Sequence, residues 1–89
     1  MTTGSDMLLD AARTIAERGR VYGSPLKNHE RIAALWSVML EHPVTPTQVA
    51  MCMAGVKLAR LMETPDHADS AVDLAGYAAM IRECQAGEP

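Results

Sequence analysis

Three helix-start signals and a helix break at Pro65 divide this 89-residue chain into four segments and constrain its fold more than any other feature. Thr3 is followed three residues later by Asp6, as in a capping box, and Ser24 and Thr45 each precede a proline, the residue favoured at the first position of a helix. Apolar residues recur every three or four positions after each signal. The pattern predicts helices over residues 4–18, 25–42, 46–62 and 66–85, with a loop over residues 19–25 between the first two.

The composition agrees with a helical chain. No run of residues is both β-branched and alternating, so the sequence carries no strand signal. Hydrophobic residues make up 48% of the chain, and they are mostly Ala, Leu, Val and Met, with no Phe. Such residues suit closely packed helices. We therefore predict one all-α domain over residues 1–89, a small four-helix bundle, with residues 1–4 and 86–89 flexible.

Charge and hydropathy exclude several kinds of partner. The formal net charge is −3 with mixed signs, and no basic patch favours a nucleic-acid backbone, so no DNA binding is expected. No apolar run approaches the roughly 18 residues of a transmembrane helix and no signal peptide is recognisable, so we expect a cytoplasmic protein without a membrane partner. Cys52 and Cys84 have no metal-ligand spacing, and both are expected to be buried free thiols.

The apolar faces predict which helix surfaces are buried. The expected inner face of the second helix consists of Ile32, Leu35, Trp36, Met39 and Leu40. The third helix is apolar nearly all round, which indicates burial on several sides. Three short partner helices cannot cover all of it. We therefore expect this helix to lie centrally in a homo-oligomer, either a dimer or a tetramer.

Four charged side chains point toward surfaces that are otherwise apolar. Lys57 and Arg60 lie near the end of the third helix, and Asp69 and Asp73 share a face of the fourth helix with Tyr77. Charges removed from water need partners, so these groups pair with one another or hold a ligand. The short connection makes the two helices antiparallel neighbours. We expect Arg60 to meet Asp69 or Asp73, and Lys57 to reach Asp73 one turn deeper.

Two further residues on inner helix faces are candidates for a site. His29 lies on the inner side of the second helix, where it either bonds to neighbouring backbone or contacts a ligand. Gly76 lies in the middle of the fourth helix, where glycine costs about 1 kcal/mol relative to alanine. This cost predicts that another backbone or a ligand packs against Gly76.

Sequence motifs along most of the chain resemble a known family. Residues 18–25 read Arg-x-x-x-Tyr-Gly-x-Pro, residues 57–60 read Lys-x-x-Arg, and residues 69–77 read Asp-x-x-x-Asp-x-x-Gly-Tyr. With these motifs the chain resembles a small family of uncharacterised proteins from tailed bacteriophages and prophages. It is more loosely similar to phage nucleotide-modification-associated domains and to MazG-like all-α nucleoside triphosphate pyrophosphohydrolases.

The looser resemblance implies a phage-encoded nucleotide-binding protein with a MazG-like fold and weak or no pyrophosphohydrolase activity. MazG-like enzymes hold Mg²⁺ with a Glu-x-x-Glu and a Glu-x-x-Asp motif, and this sequence has no Glu-x-x-Glu. Asp69 and Asp73 remain as the expected Mg²⁺ ligands, because one or two carboxylates plus substrate phosphates can hold this ion. The implied nucleotide contacts are Lys57 and Arg60 for the phosphates, Asp69 and Asp73 for Mg²⁺ or a sugar hydroxyl, Trp36, Tyr22 or Tyr77 for a stacked base, and His29.

Two alternatives lead to different experiments. The chain could be a non-enzymatic helical oligomer that binds a host protein, with the four charges as internal ion pairs. It could instead be a scavenger that sequesters a signalling nucleotide in counter-defence, with the same site but no need for a metal. Metal-dependent turnover separates the enzyme from the scavenger, and a lack of thermal shift with any nucleotide favours the helical oligomer.

Overall fold

The structure, a computed structural model, describes residues 3–87, the side chain of Tyr22 excepted. Its helices are α1 (Gly4–Tyr22), α2 (Pro25–Leu40), α3 (Pro46–Glu63) and α4 (Ala68–Gly87). No strand occurs among the described residues, so the prediction of a small all-α fold is confirmed. None of these helices is both long enough and apolar enough to cross a membrane.

The predicted helix starts are formed by the predicted caps. Thr3 and Asp6 form a capping box at α1, and Thr45 forms another with Gln48 at α3. At α2 the Ser24 hydroxyl accepts a hydrogen bond from the Lys27 backbone N–H at 3.4 Å. Each cap satisfies a backbone donor that the first helical turn leaves without a partner.

The segments expected to be flexible fall partly within helices, since Gly4 and residues 86–87 are helical, and residues 1–2 and 88–89 lie outside the described residues.

The first helix continues past its predicted end. The sequence prediction ends it at residue 18, before Gly19, but α1 runs on to Tyr22, and Gly23 is the residue that ends it. Gly23 has a φ of 84°, which favours glycine, and its N–H donates to the Gly19 carbonyl at 3.1 Å. A two-residue turn therefore replaces the predicted loop and brings the end of α1 directly beside the start of α2.

Among the described residues, α2 and α4 each contact all three other helices, whereas α3, the helix predicted to be central, contacts α2 and α4 but not α1. The α3 helix packs mainly along α4, with Ala50 against Met80 and Cys84. Lys57 near the end of α3 meets Asp73 near the start of α4, so the two helices are antiparallel, as predicted. Only one side of α3 is covered in this chain, and the opposite side faces solvent.

Several predicted inner positions are exposed because the buried core is small. On α2, His29 and Ala33 are the buried residues, whereas Leu35, Met39 and Leu40 are more than half exposed. The Ser37 hydroxyl explains part of this shift, because it donates to the Ala33 carbonyl and accepts from the Val44 backbone N–H, which keeps it on the inner side. The prediction of two buried thiols is also half wrong. Cys84 is buried, as predicted, but Cys52 is exposed.

Candidate functional site

A cavity of about 430 Å³ opens between α1, the start of α2 and α4. Its volume lies within the roughly 300–1,000 Å³ that small-molecule sites occupy. The lining combines apolar side chains with a few polar and charged ones, as in most such sites. The lining residues are Ala11, Thr14, Ile15 and Arg18 of α1, Gly23 and Ser24 of the turn, Pro25, Asn28, His29 and Arg31 of α2, and Val72, Asp73, Gly76, Tyr77 and Met80 of α4.

Asp73 is the electrostatic centre of this cavity. Its Oδ2 lies 2.9 Å from the Lys57 Nζ, and its Oδ1 lies 3.7 Å from an Arg18 nitrogen. The side chains of Asp73 and Lys57 are only 20% and 24% exposed, whereas that of Arg18 is 57% exposed. The predicted contact of Lys57 with Asp73 is therefore confirmed. Two cations therefore share this one carboxylate.

Arg18 was not predicted as a site residue. Two signals in the sequence could have identified it. It begins the Arg-x-x-x-Tyr-Gly motif, and it follows Ala11, Thr14 and Ile15 at helical spacing, so it lies on the same face of α1 as these cavity residues. The predicted helix end at Arg18 concealed this, because it placed the arginine at the mouth of a loop rather than on a continuous helix face.

His29 is the most buried polar group of the cavity wall, with 6% of its surface exposed. Its Nδ1 lies 2.8 Å from the Pro25 carbonyl oxygen, one turn earlier in α2. Since a carbonyl only accepts, Nδ1 carries the hydrogen, and in the neutral ring Nε2 is then an acceptor. Nε2 is buried and has no hydrogen-bond partner among the described residues. Such an atom is costly unless something donates to it.

The Tyr77 ring stands beside His29. The two ring centroids are 6.3 Å apart and the planes meet at 61°, an edge-to-face arrangement. One turn of α4 joins Tyr77 to Asp73, so a single helix face carries both an aromatic surface and the carboxylate. The α4 face proposed from the sequence is therefore present, but it faces α1 and α2 as well as α3.

Gly76 faces open space. A methyl group built at its Cα would meet no other atom within 4 Å, although Gly76 belongs to the cavity wall. The prediction that a backbone packs against this glycine is therefore wrong. The other alternative, a ligand that packs against Gly76, stays a prediction. It agrees with the space that the missing side chain leaves in the cavity.

The other predicted site residues lie in different places. Arg60 is exposed and forms no ion pair with any described residue, so the prediction that it pairs with Asp69 or Asp73 is wrong. Three residues of helix separate it from Lys57, which turns it about 60° farther from α4. Trp36 is half-buried and lies outside the cavity wall. The side chain of Tyr22 is outside the described residues, so its proposed role has no structural counterpart here.

Asp69 lies in a smaller recess of about 250 Å³ that adjoins the cavity. The recess shares Thr14, Arg18, Val72 and Asp73 with the larger cavity, so the two form one groove between α1 and α4. Asp69 and Asp73 are therefore near each other, as the expected Mg²⁺ ligands would need to be. Across the described residues, no group of three or more His, Cys, Asp and Glu side chains could hold a metal ion.

Comparison with known proteins identifies the family of this chain and two phage relatives. Residues 6–85 match the model of a family described as a domain of unknown function, DUF6378, and the chain belongs to this family. It is 42% identical over 73 residues to the Gene 55 protein of Mycobacterium phage L5, covering 81% of this chain and 47% of that protein. It is 37% identical over 91 residues to the Gene 55 protein of Mycobacterium phage D29, covering 96% of this chain and 60% of that protein.

The chain thus spans about half to three fifths of the length of these two phage proteins. The predicted resemblance to a phage protein family is confirmed at this level. No solved structure matches the chain.

Proposed function

We propose that this protein binds a phosphorylated nucleotide in the cavity between α1, α2 and α4. One observation carries the proposal: the wall of the larger cavity combines two arginines and one carboxylate with a buried histidine nitrogen that has no hydrogen-bond partner among the described residues. The cations suit phosphate, and the histidine suits a polar atom of a heterocyclic base. Both chemistries occur within one volume of about 430 Å³.

The phosphate end is assigned to Arg18, Arg31 and the start of α2. Arg18 has five N–H donors and, among residues 3–87, one ion pair at 3.7 Å, so it retains donors for an anion. Arg31 is exposed at the same cavity. Ser24 and Pro25 begin a 16-residue helix, whose N-terminus carries a partial positive charge. Lys57 holds Asp73, which lowers the repulsion between that carboxylate and a phosphate.

The base end is assigned to His29, Tyr77 and Asn28. The Tyr77 ring offers an aromatic surface, and Nε2 of His29 offers an acceptor for an N–H of a base. Asn28 is exposed at the cavity wall and has both a donor and an acceptor. The Tyr77 ring face and the accepting Nε2 of His29 suit a nucleotide better than inorganic phosphate, because neither group donates a hydrogen bond to an anion.

Binding is the primary proposal, with weak or no hydrolysis. Asp73 is the one carboxylate among the described residues of the larger cavity, and two cations already contact it. A Mg²⁺ ion at Asp69 and Asp73 would have to compete with Lys57 or Arg18. We retain Mg²⁺ and a MazG-like relationship as parts of the proposal to be tested, the ion arriving with the phosphates of the nucleotide.

Calorimetric titration tests the proposal with nucleoside mono- and triphosphates and cyclic dinucleotides, each with and without Mg²⁺. We expect heat from at least one of them. Replacing Arg18→Gln should weaken that binding about tenfold or more, because a hydrogen bond to a charged group contributes about 1.5–3 kcal/mol. Arg13→Gln is the matched control, since Arg13 lies on the same helix and pairs with Asp10 away from the cavity.

The outcomes separate the candidate functions. No heat with any nucleotide, or equal losses in both arginine variants, would contradict nucleotide binding at this site. Release of pyrophosphate from a triphosphate only with Mg²⁺ would indicate an enzyme. Tight binding without turnover would favour a scavenger of a signalling nucleotide.

A further inference from the structure

The outer side of α3 is a continuous uncharged surface. Read at about 100° per residue, one face is centred on Gly55 and extends about 60° to either side. Between residues 51 and 62 its members are Met51, Cys52, Gly55, Leu58, Ala59 and Met62, and all of them are exposed. Gln48 lies on the same line one turn earlier, where its side chain caps the start of the helix. We call this surface the Gly55 face. It runs for about 17 Å along the helix at 1.5 Å per residue.

The Gly55 face differs from the exposed faces of the neighbouring helices. Leu8 and Leu9 of α1 are also exposed, but the rest of their face consists of Ser5, Ala12 and Ala16, so its large side chains are two and lie at one end. Leu35 and Val38 of α2 lie on the same side as Arg31. In contrast, three exposed large side chains of the Gly55 face, Met51, Leu58 and Met62, have no charged residue between them on that face. An exposed apolar surface of this kind marks an interaction site.

The total surface of the chain is large enough to supply an interface. The chain exposes 6393 Å², whereas the surface scaling of monomeric proteins gives about 5,100 Å² for 9.6 kDa. The difference is roughly 1,300 Å². A stable interface covers about 800 Å² on each partner, so one further contact of ordinary size would bring the exposed surface near that of a compact monomer.

We propose that a second copy of this chain covers the Gly55 face, with the two α3 helices antiparallel about a two-fold axis at Gly55. An uncharged face can meet its own copy without repulsion, and a two-fold contact uses the same patch on both subunits. Gly55 has no side chain, and a Cβ there would meet nothing within 4 Å, so the two backbones can approach closely at the axis.

This arrangement fits the positions of the side chains. Met51 and Leu58 lie on one side of the line through Gly55, four residues before it and three residues after it. Reversing the second helix therefore brings Met51 of each copy beside Leu58 of the other. On the opposite side of the line, Cys52 comes beside Ala59 in the same way. Large side chains thus fill one edge of the contact and small ones the other.

The mass in solution, measured by light scattering at micromolar concentration, is the first test. We expect twice 9.6 kDa for the parent protein. Leu58→Glu should halve that mass while the helical circular dichroism is retained, since Leu58 is already 51% exposed within one chain. Val38→Glu is the matched control on α2, where Val38 is 77% exposed, and it should leave the dimer intact.

Cross-linking of the unmodified chain tests the same contact without relying on a variant that folds. A two-fold axis at Gly55 places the two Cys52 residues on one side of it, about 9 Å apart along the helix. A bismaleimide of comparable length should therefore give a covalent dimer. Cys52→Ser should abolish it, because Cys84 is buried. Val38→Cys in the Cys52→Ser chain reports collisional cross-linking and should give little product.

The result that would overturn the proposal is a monomeric mass for the parent protein, which would leave the Gly55 face to a different partner. A dimer that persists in Leu58→Glu, or that yields no Cys52 cross-link, would also overturn it by placing the contact elsewhere. None of these measurements involves a nucleotide, so their outcome is independent of the proposed function.

Discussion

The two sides of α4 are filled differently. Toward α3, Met80 and Cys84 pack against Ala50, and Cys84 and Ala50 are fully buried. Toward α1, the same helix borders an open cavity of about 430 Å³, where Gly76 provides no side chain. Small residues thus have opposite consequences on the two sides. On the α3 side they allow the helices to pack closely, and on the α1 side Gly76 leaves space in the cavity.

The two sides of α4 also differ in how their cations contact Asp73. Lys57 reaches Asp73 from the packed side at 2.9 Å, and Arg18 reaches it from the cavity side at 3.7 Å. The contact from α3 is shorter and more shielded from water. We therefore regard Lys57 as the structural partner of Asp73, and Arg18 as the cation that remains available to a ligand.

The largest expected effect comes from adding the same side chain on each side of α4. Ala50→Leu should lower the free energy of unfolding by about 1–3 kcal/mol, because the contact with Met80 and Cys84 has no room for it. The melting temperature should fall by about 4–8 °C for each kcal/mol. Ala11→Leu is the matched change on the cavity side, where the added atoms can enter the cavity. It should melt close to the parent and lose nucleotide binding.

Thermal unfolding followed by circular dichroism checks this pair of variants. Equal destabilisation by Ala50→Leu and Ala11→Leu would show that the cavity closes in solution, and the contrast between the two sides would then not hold.

A smaller effect is expected from the cations of α3. Lys57→Met should cost about 1–2 kcal/mol, between the values for exposed and buried pairs, because it leaves a mostly buried carboxylate with Arg18 alone. Arg60→Met should stay within about 0.5 kcal/mol of the parent, since Arg60 is exposed and unpaired among the described residues. Urea unfolding of both variants makes the comparison. If Arg60→Met lowers the free energy of unfolding as much as Lys57→Met does, Arg60 has a charged partner in solution, as the sequence analysis predicted.

Local signals in the sequence predicted the helices well. The caps at Thr3, Ser24 and Thr45 depend on residues three positions away, so they can be read without knowing the fold. The predicted end of α1 was wrong because Gly19 and Gly23 are both residues of the type that ends helices. Only the conformation distinguishes them, and Gly23 is the one with a positive φ.

The candidate site was predicted only in part, because it depends on how distant segments meet. Asp73, Tyr77 and His29 were identified from their positions on inner helix faces. Arg18, which lines the same cavity, was missed, since the sequence does not say that α1 lies across α4. Arg60 was misplaced by the opposite error. Arg60 lies three positions after Lys57, so both residues fit the broad apolar stripe of α3. The stripe alone does not show which of its edges faces α4.

The smallest expected change in stability, and the sharpest test of the cavity, comes from two glycines. Gly76→Ala and Gly19→Ala both replace a helix-interior glycine where a Cβ meets nothing within 4 Å. Each should therefore raise the free energy of unfolding by about 0.5–1 kcal/mol. Only Gly76 belongs to the cavity wall. We expect Gly76→Ala to weaken nucleotide binding and Gly19→Ala to leave it unchanged.

This pair of variants separates binding from folding, because the variant that loses affinity should be more stable than the parent. A weaker affinity in Gly76→Ala cannot then be attributed to a damaged fold. If both variants bind as the parent does, the ligand does not occupy the space beside Gly76, and the open side of α4 is a gap in packing rather than a site. If Gly76→Ala is destabilised instead, α1 lies closer to α4 in solution than the cavity requires, and the difference between the two sides of α4 disappears.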